Sequence, residues 1–138
     1  MPEPQPAVRL IRSIGAVFAG IIVNVALSLL TDFVLERAGV LPPPGHPAGS
    51  GPLLLATIYR TIYGVLGSYV TALFAPSRPM LHAMVLGFIG FAVSILGAVI
   101  TWNRSAEFGP HWYPVALVVL ALPTAWLGGK LRERQLRG

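Results

Sequence analysis

Four long apolar runs constrain this chain more than any other feature of its sequence. Short polar or proline-rich segments separate them, and they cover residues 13–35, 52–75, 80–102 and 112–129. Each run has about the 20 residues that an α-helix needs to cross roughly 30 Å of hydrocarbon. Lipid offers the backbone no hydrogen-bond partners, and none of the runs alternates with period two. We therefore predict four transmembrane helices and no strands.

The composition agrees with a location in lipid. Of the 138 residues, 54% are hydrophobic and only 11% are charged, whereas a soluble domain carries about 25% charged residues. We predict an all-α integral membrane protein, an antiparallel four-helix bundle that forms a single domain over 1–138. The predicted helices lie at about 9–37, 52–75, 80–102 and 111–133, with outer loops at 38–51 and 103–110.

The distribution of basic residues predicts the orientation of the bundle. Two basic residues, Arg37 and Arg104, fall on one side of the predicted helices. Seven fall on the other side: Arg9, Arg12, Arg78, Lys130, Arg132, Arg134 and Arg137. Basic residues in short loops remain on the cytoplasmic side. We therefore expect both termini in the cytoplasm. The preference for Arg over Lys, with abundant Ala, Gly and Pro, favours a bacterial source and hence the inner membrane.

Several classes of function lack their chemical groups in this sequence. The chain has no cysteine, which excludes disulfides, thiolate metal sites and thiol nucleophiles. Its three histidines, His46, His82 and His111, are scattered over both sides of the membrane, so we predict no metal site and no cofactor. There is no basic stripe with interleaved aromatics, so no nucleic-acid partner is expected. The expected partners are membrane lipids, further copies of this chain or a larger membrane complex.

Small residues recur at three- and four-residue spacing along the first three helices and therefore share a face in each. In membrane proteins such faces let helices approach closely. We predict helix packing through them, or alternatively a polar cleft between helices one, two and three. The predicted packing residues are Gly64, Gly67 and Ser68 in the second helix and Gly87, Gly90, Ser94 and Gly97 in the third.

Arg60 is the one charged residue of the second apolar run, and Asp32 lies near the end of the first. A charge at membrane depth costs about 2.5–3.5 kcal/mol on insertion scales and often marks a functional site. At 1.5 Å per residue, Asp32 and Arg60 are roughly 8 and 12 Å from the same outer boundary. We therefore predict an ion pair between them in the outer half of the membrane.

Three interpretations of this pair remain open. Arg60 extends its guanidinium to the outer headgroups, or the pair is purely structural, or it forms a site for a substrate, ion or proton. In the last case the polar cluster also includes Asn24, Thr57 and Thr61. Tyr59 and Tyr63 are interpreted as interfacial anchors, as is usual for aromatics near helix ends.

These features favour a non-enzymatic protein that binds or transports a small or lipidic ligand through a polar cleft between its helices. We expect it to act as an oligomer, because four helices seldom enclose a pathway alone. One alternative is an accessory or scaffold subunit of a larger membrane complex. The other is a membrane enzyme acting on a lipid or a quinone, which the lack of nucleophiles and metal ligands disfavours.

Overall fold

The computed structural model describes residues 5–43, 46–47, 49–104 and 110–137. Regular structure in these ranges consists of four α-helices: α1 (Pro6–Arg37), α2 (Ser50–Phe74), α3 (Pro79–Thr101) and α4 (Trp112–Arg137). The shortest, α3, has 23 residues and is therefore about 35 Å long. All four are long and apolar enough to cross a membrane, which confirms the prediction of four helices of that kind. Of the predicted loop 103–110, residues 105–109 lie outside the described residues.

The helix ends follow from local sequence. After Arg37, Gly39 adopts a left-handed conformation with φ of 81°. The amides of Gly39 and Val40 then donate to the carbonyls of Glu36 and Leu35, which is the Schellman arrangement that ends many helices. α3 begins at Pro79, whose fixed φ suits the first turn of a helix. Arg78 before it has a φ of 46° and turns the chain sharply between α2 and α3.

Contacts between the helices define two ends of the bundle. The turn end contains the start of α1, the 75–78 turn and the end of α4. There Arg9 donates to Ser77 Oγ at 3.1 Å and Tyr69 to Gln135 Oε1 at 2.6 Å. The loop end contains the end of α1, the start of α2, the end of α3 and the start of α4, and Trp112 lies 3.3 Å from Ser50 Oγ there. α2 packs against the other three helices.

Small side chains fill the interior, and large apolar ones cover the outside. Thr71 and Ala83 are completely buried, whereas Phe18 and Val99 are 60% and 69% exposed. Burial in lipid gives helices no hydrophobic reason to associate, so they pack where small residues allow close contact. This pattern is that of a multi-pass membrane protein whose outer surface faces acyl chains.

The predicted packing residues of α2 lie between helices. A Cβ added to Gly67 would lie 2.7 Å from the carbonyl oxygen of Gly20 in α1. One added to Gly64 would lie 3.3 Å from Thr124 Oγ1 in α4. Ser68 is 3% exposed and contacts Gly128. The second half of α2 therefore forms a seam of small residues with α1 on one side and α4 on the other.

The predicted packing residues of α3 divide into two groups. Gly87 lies against α4, where an added Cβ would be 2.4 Å from Ala125 Cβ. At Gly90 and Gly97 an added Cβ would meet nothing within 4 Å among the described residues, and Ser94 is only half-buried. The face of α3 that carries Gly87 therefore meets α4, whereas the positions of Gly90 and Gly97 are open among the described residues. Packing of Gly90, Ser94 and Gly97 against another chain remains a prediction.

Candidate functional site

The loop end of the bundle holds a charged pair between α1 and α2. Asp32 is five residues before the end of α1, and Arg60 is ten residues after the start of α2. Arg60 Nη2 donates a hydrogen bond to Asp32 Oδ2, and the two groups form an ion pair. The side chains of Arg60 and Asp32 are 34% and 18% exposed. Each charge thus has its opposite within contact, which is what makes charges tolerable at membrane depth.

Tyr59 completes the coordination of the Asp32 carboxylate. Its hydroxyl donates to Oδ1, so the two oxygens of Asp32 accept from two consecutive residues of α2. The interpretation of Tyr59 as an interfacial anchor is wrong, because the residue is only 8% exposed and its hydroxyl points to the carboxylate. A signal for this position exists in the sequence: Tyr59, Tyr63 and Gly67 are spaced by four residues and share the face of α2 that meets α1.

Tyr63 extends the same polar contact by one helical turn. Its hydroxyl lies 2.7 Å from Thr31 Oγ1, next to Asp32 in α1. The rings of Tyr59 and Tyr63 are 5.9 Å apart and tilted by 49°. Tyr63 therefore also contacts α1, in contrast to the interfacial anchoring expected from its position. Together these bonds fix the end of α1 to the first half of α2.

Three other predicted members of the cluster make different contacts. Thr57 Oγ1 donates to the carbonyl of Leu53 at 2.8 Å, and Thr61 Oγ1 donates to that of Thr57 at 2.6 Å. These hydroxyl protons are thus used within α2. Asn24 lies two turns from Asp32 along α1, where its side-chain oxygen accepts from Ser28 at 3.3 Å. The structure brings Asp32 and Arg60 together and does not join Asn24 to them.

A residue of α4 contributes to the site, although the sequence indicated a cleft of helices one, two and three. Tyr113, in the first turn of α4, is close enough to interact electrostatically with Arg60 and Asp32. None of the hydrogen bonds described for the Asp32–Arg60 pair involves α3. The hydrogen-bonded part of the polar site is consequently built on α1 and α2, and the electrostatic interaction of Tyr113 reaches it from the start of α4. Tyr113 was missed because an aromatic residue beside Trp112 is typical of an interfacial belt.

Arg60 retains hydrogen-bonding capacity that the protein does not use. A guanidinium has five N–H donors in a planar fork, and Arg60 gives one of them to Asp32. Its Nε is buried and has no hydrogen-bond partner among the described residues. A third of the side chain is exposed. The paired donors of such a fork match the two oxygens of a carboxylate or a phosphate.

Within the ranges that the structure describes, no three residues among His, Asp and Glu are close enough to hold a metal ion. His82 Nε2 lies 2.8 Å from Ser13 Oγ at the turn end. His111 stacks on Trp102 at the loop end, with ring centroids 3.9 Å apart.

Comparisons with protein-family models, with curated proteins and with solved structures found no match to this chain.

Proposed function

We propose that this protein is an antiparallel transmembrane four-helix bundle that binds an anionic small or lipidic ligand at the site around Arg60. In this proposal the turn end is cytoplasmic, both termini lie in the cytoplasm and the site occupies the outer half of the bilayer. In this proposal the protein acts by binding and, as an oligomer, by transport.

The orientation is supported by the charges at the two ends of the bundle. The seven basic residues at Arg9, Arg12, Arg78 and in the last turns of α4 belong to the turn end, and Arg37 and Arg104 belong to the loop end. Short basic segments stay on the cytoplasmic side during insertion. The absence of cysteine from the sequence allows a direct test.

Single cysteines at Ser77 and at His46 provide that test in intact cells. We expect a membrane-impermeant maleimide to label His46→Cys and to leave Ser77→Cys unlabelled until the membrane is opened. Labelling of Ser77→Cys in intact cells would reverse the proposed orientation. Equal labelling of both would contradict a single orientation.

The binding proposal is carried by one observation, the unused donors of Arg60. Asp32 neutralises the charge of Arg60, yet the buried Nε has no partner among the described residues and a third of the side chain is exposed. Nε is covered by the protein and lies out of reach of a ligand. An anionic group that accepts from the exposed part of the guanidinium would use donors that Asp32 leaves free. Tyr59 and Tyr63 hold the pair in place, so the site would be formed before the ligand arrives.

A ligand that binds only the native state raises the stability of that state, by about 2.7 kcal/mol at a ligand concentration of 100 Kd. We therefore expect a long-chain carboxylate to raise the melting temperature of the detergent-solubilised chain. The alcohol of the same chain length should leave the melting temperature unchanged. Arg60→Gln should abolish the increase. Arg37→Gln is the matched control, because Arg37 lies at the same end of the bundle but is exposed over Phe33, and it should retain the increase. An equal response to acid and alcohol, or an unchanged response in Arg60→Gln, would contradict binding at this site.

A second candidate, an accessory subunit of a membrane complex, is favoured by the free face of α3. Gly90 and Gly97 face open space among the described residues, and membrane helices associate through such faces. Crosslinking from a cysteine at Gly97 in native membranes would distinguish the candidates. A discrete adduct with another protein favours the subunit, and an adduct with this chain alone favours a ligand-binding oligomer.

A further inference from the structure

A cavity lies at the turn end, between α1 and α3, away from the site at Arg60. It has a volume of about 500 Å³, which is within the range of small-molecule sites in proteins. Seven of its nine lining residues are aliphatic or aromatic, among them Val17, Phe18 and Val85. Phe18 is 60% exposed. The cavity is therefore a groove along the surface of the bundle, open to the acyl chains of the bilayer.

The groove is polar only at the end nearest the 75–78 turn. There Ser13 and His82 line it and are joined by a hydrogen bond of 2.8 Å. His82 Nδ1 lies 3.0 Å from the carbonyl oxygen of Arg78. Because that carbonyl only accepts, neutral His82 carries its proton on Nδ1 and accepts from the Ser13 hydroxyl through Nε2. One end of the groove thus presents polar groups, and the remainder presents hydrocarbon.

Cations surround the polar end. Arg9 lies one turn before Ser13 in α1, and its guanidinium bonds Ser77 at 3.1 Å, which places it beside the mouth of the groove. Arg78 lies one turn before His82, and both Arg78 and Arg12 are exposed. The described residues of α1 before Asp32 include no acidic residue, and neither does α3. The exposed Arg12 and Arg78 therefore place positive charge near this mouth.

We propose that this groove binds an anionic phospholipid, with one acyl chain along the apolar part and the phosphate at the arginines. Along the groove the contacts change from cations to a hydroxyl and an imidazole, and then to hydrocarbon. A phospholipid presents its groups in the matching order, from the phosphate through the polar ester region to the acyl chains. Basic clusters beside a membrane helix attract anionic headgroups. A second copy docked symmetrically on this face would bring the same arginines together, which like-charge repulsion opposes. This proposal does not depend on ligand binding at Arg60.

Native mass spectrometry of the full chain tests the proposal. The probes are phosphatidylglycerol and phosphatidylcholine with identical acyl chains, each added to the detergent-purified protein. We expect at least five-fold more retained phosphatidylglycerol than phosphatidylcholine. The double variant Arg12→Gln, Arg78→Gln should lower that ratio to about one. Val85→Trp, which fills the groove, should remove most retained lipid of both kinds.

Val93→Trp is the matched control, because Val93 is 62% exposed on α3 and does not line the groove. It should retain lipid as the unmodified chain does. If Val85→Trp loses helical circular dichroism, Val85→Phe replaces it as a smaller obstruction. Equal retention of the two lipids by the unmodified chain would overturn the proposal. It would also be overturned if Val85→Trp and Val93→Trp retained the same amount of phosphatidylglycerol. A dimer that the groove-filling variant dissociates would assign the groove to a second copy instead.

Discussion

The two halves of α2 hold the bundle together by different means. Its first half, with Tyr59, Arg60 and Tyr63, bonds to α1 through charged and hydroxyl groups. Its second half, with Gly67 and Ser68, meets its neighbours through small residues in direct contact. At Gly67 the seam leaves no space for an added atom, whereas the polar half leaves a partly exposed guanidinium with unused donors. Stability is therefore expected to depend most on the seam, and binding on the polar half.

Gly128→Val should produce the largest effect, because it fills the seam. An added Cβ at Gly128 would lie 2.6 Å from Ser68 Cβ and from the Val65 carbonyl oxygen. Backbone atoms move little, so α4 would have to separate from α2. Overpacking of this kind costs about 3 kcal/mol. Unfolding in mixed detergent micelles, followed by circular dichroism, measures the change.

Gly90→Val is the control for that substitution. It adds the same atoms to a helix glycine that has open space around it among the described residues. Its effect should stay within about 0.5 kcal/mol. Equal losses in Gly128→Val and Gly90→Val would show that the contact of α2 with α4 is not the tight seam described above.

Arg60→Ala should have the next largest effect, because it leaves the Asp32 carboxylate without its cation. Breaking a fully buried pair costs 3–5 kcal/mol, and the partial exposure of Arg60 reduces the expected loss to about 2 kcal/mol. Asp32→Ala in the same chain should recover part of it. Unfolding of the two single variants and the double variant gives their coupling. Strictly additive losses would contradict an energetic role for the ion pair.

The sequence is sufficient to predict the four helices, because bilayer-length apolar runs leave the backbone no other way to satisfy its hydrogen bonds. It also locates Asp32 and Arg60 at similar depths, where the structure pairs them. It is insufficient to show which neighbour covers each face. Gly87 and Gly90 belong to one small-residue stripe, yet only Gly87 contacts α4. That difference depends on how α3 is turned toward α4, which no local pattern encodes.

The misinterpretation of Tyr59 has a related cause. A tyrosine near the end of an apolar run suits both an interfacial anchor and a buried donor, and only the position of a distant acceptor decides between them. Asp32 supplies that acceptor from another helix. Similarly, the contribution of Tyr113 depends on α4 lying beside α2. Hydrogen bonds between helices are set by tertiary packing, so the full site was not predictable from spacing within one helix.

Tyr59→Phe tests the neutral part of the polar half and should cost less than the loss of Arg60. It removes one donor to a carboxylate that keeps its ion pair, so we expect a loss of about 1.5 kcal/mol. Tyr63→Phe is the matched control, because it removes a hydroxyl bonded to neutral Thr31, which should cost about 0.5 kcal/mol. Unfolding of both variants under one condition compares them. A larger loss of stability in Tyr63→Phe than in Tyr59→Phe would contradict the conclusion that the bonds to the Asp32 carboxylate contribute most to this half of α2.

Gly97→Ala should have the smallest effect on the stability of the isolated chain. It tests a small-residue face that no described residue covers, in contrast to the covered seam of α2. Replacing glycine by alanine in a helix favours folding by at most about 1 kcal/mol, and the added methyl group meets nothing within 4 Å among the described residues. Unfolding should therefore be unchanged or shifted to slightly higher stability. The same methyl group at a seam between two chains would separate them. Retained stability with loss of crosslinked complexes in native membranes would assign this face of α3 to a partner. Retained complexes would contradict that assignment.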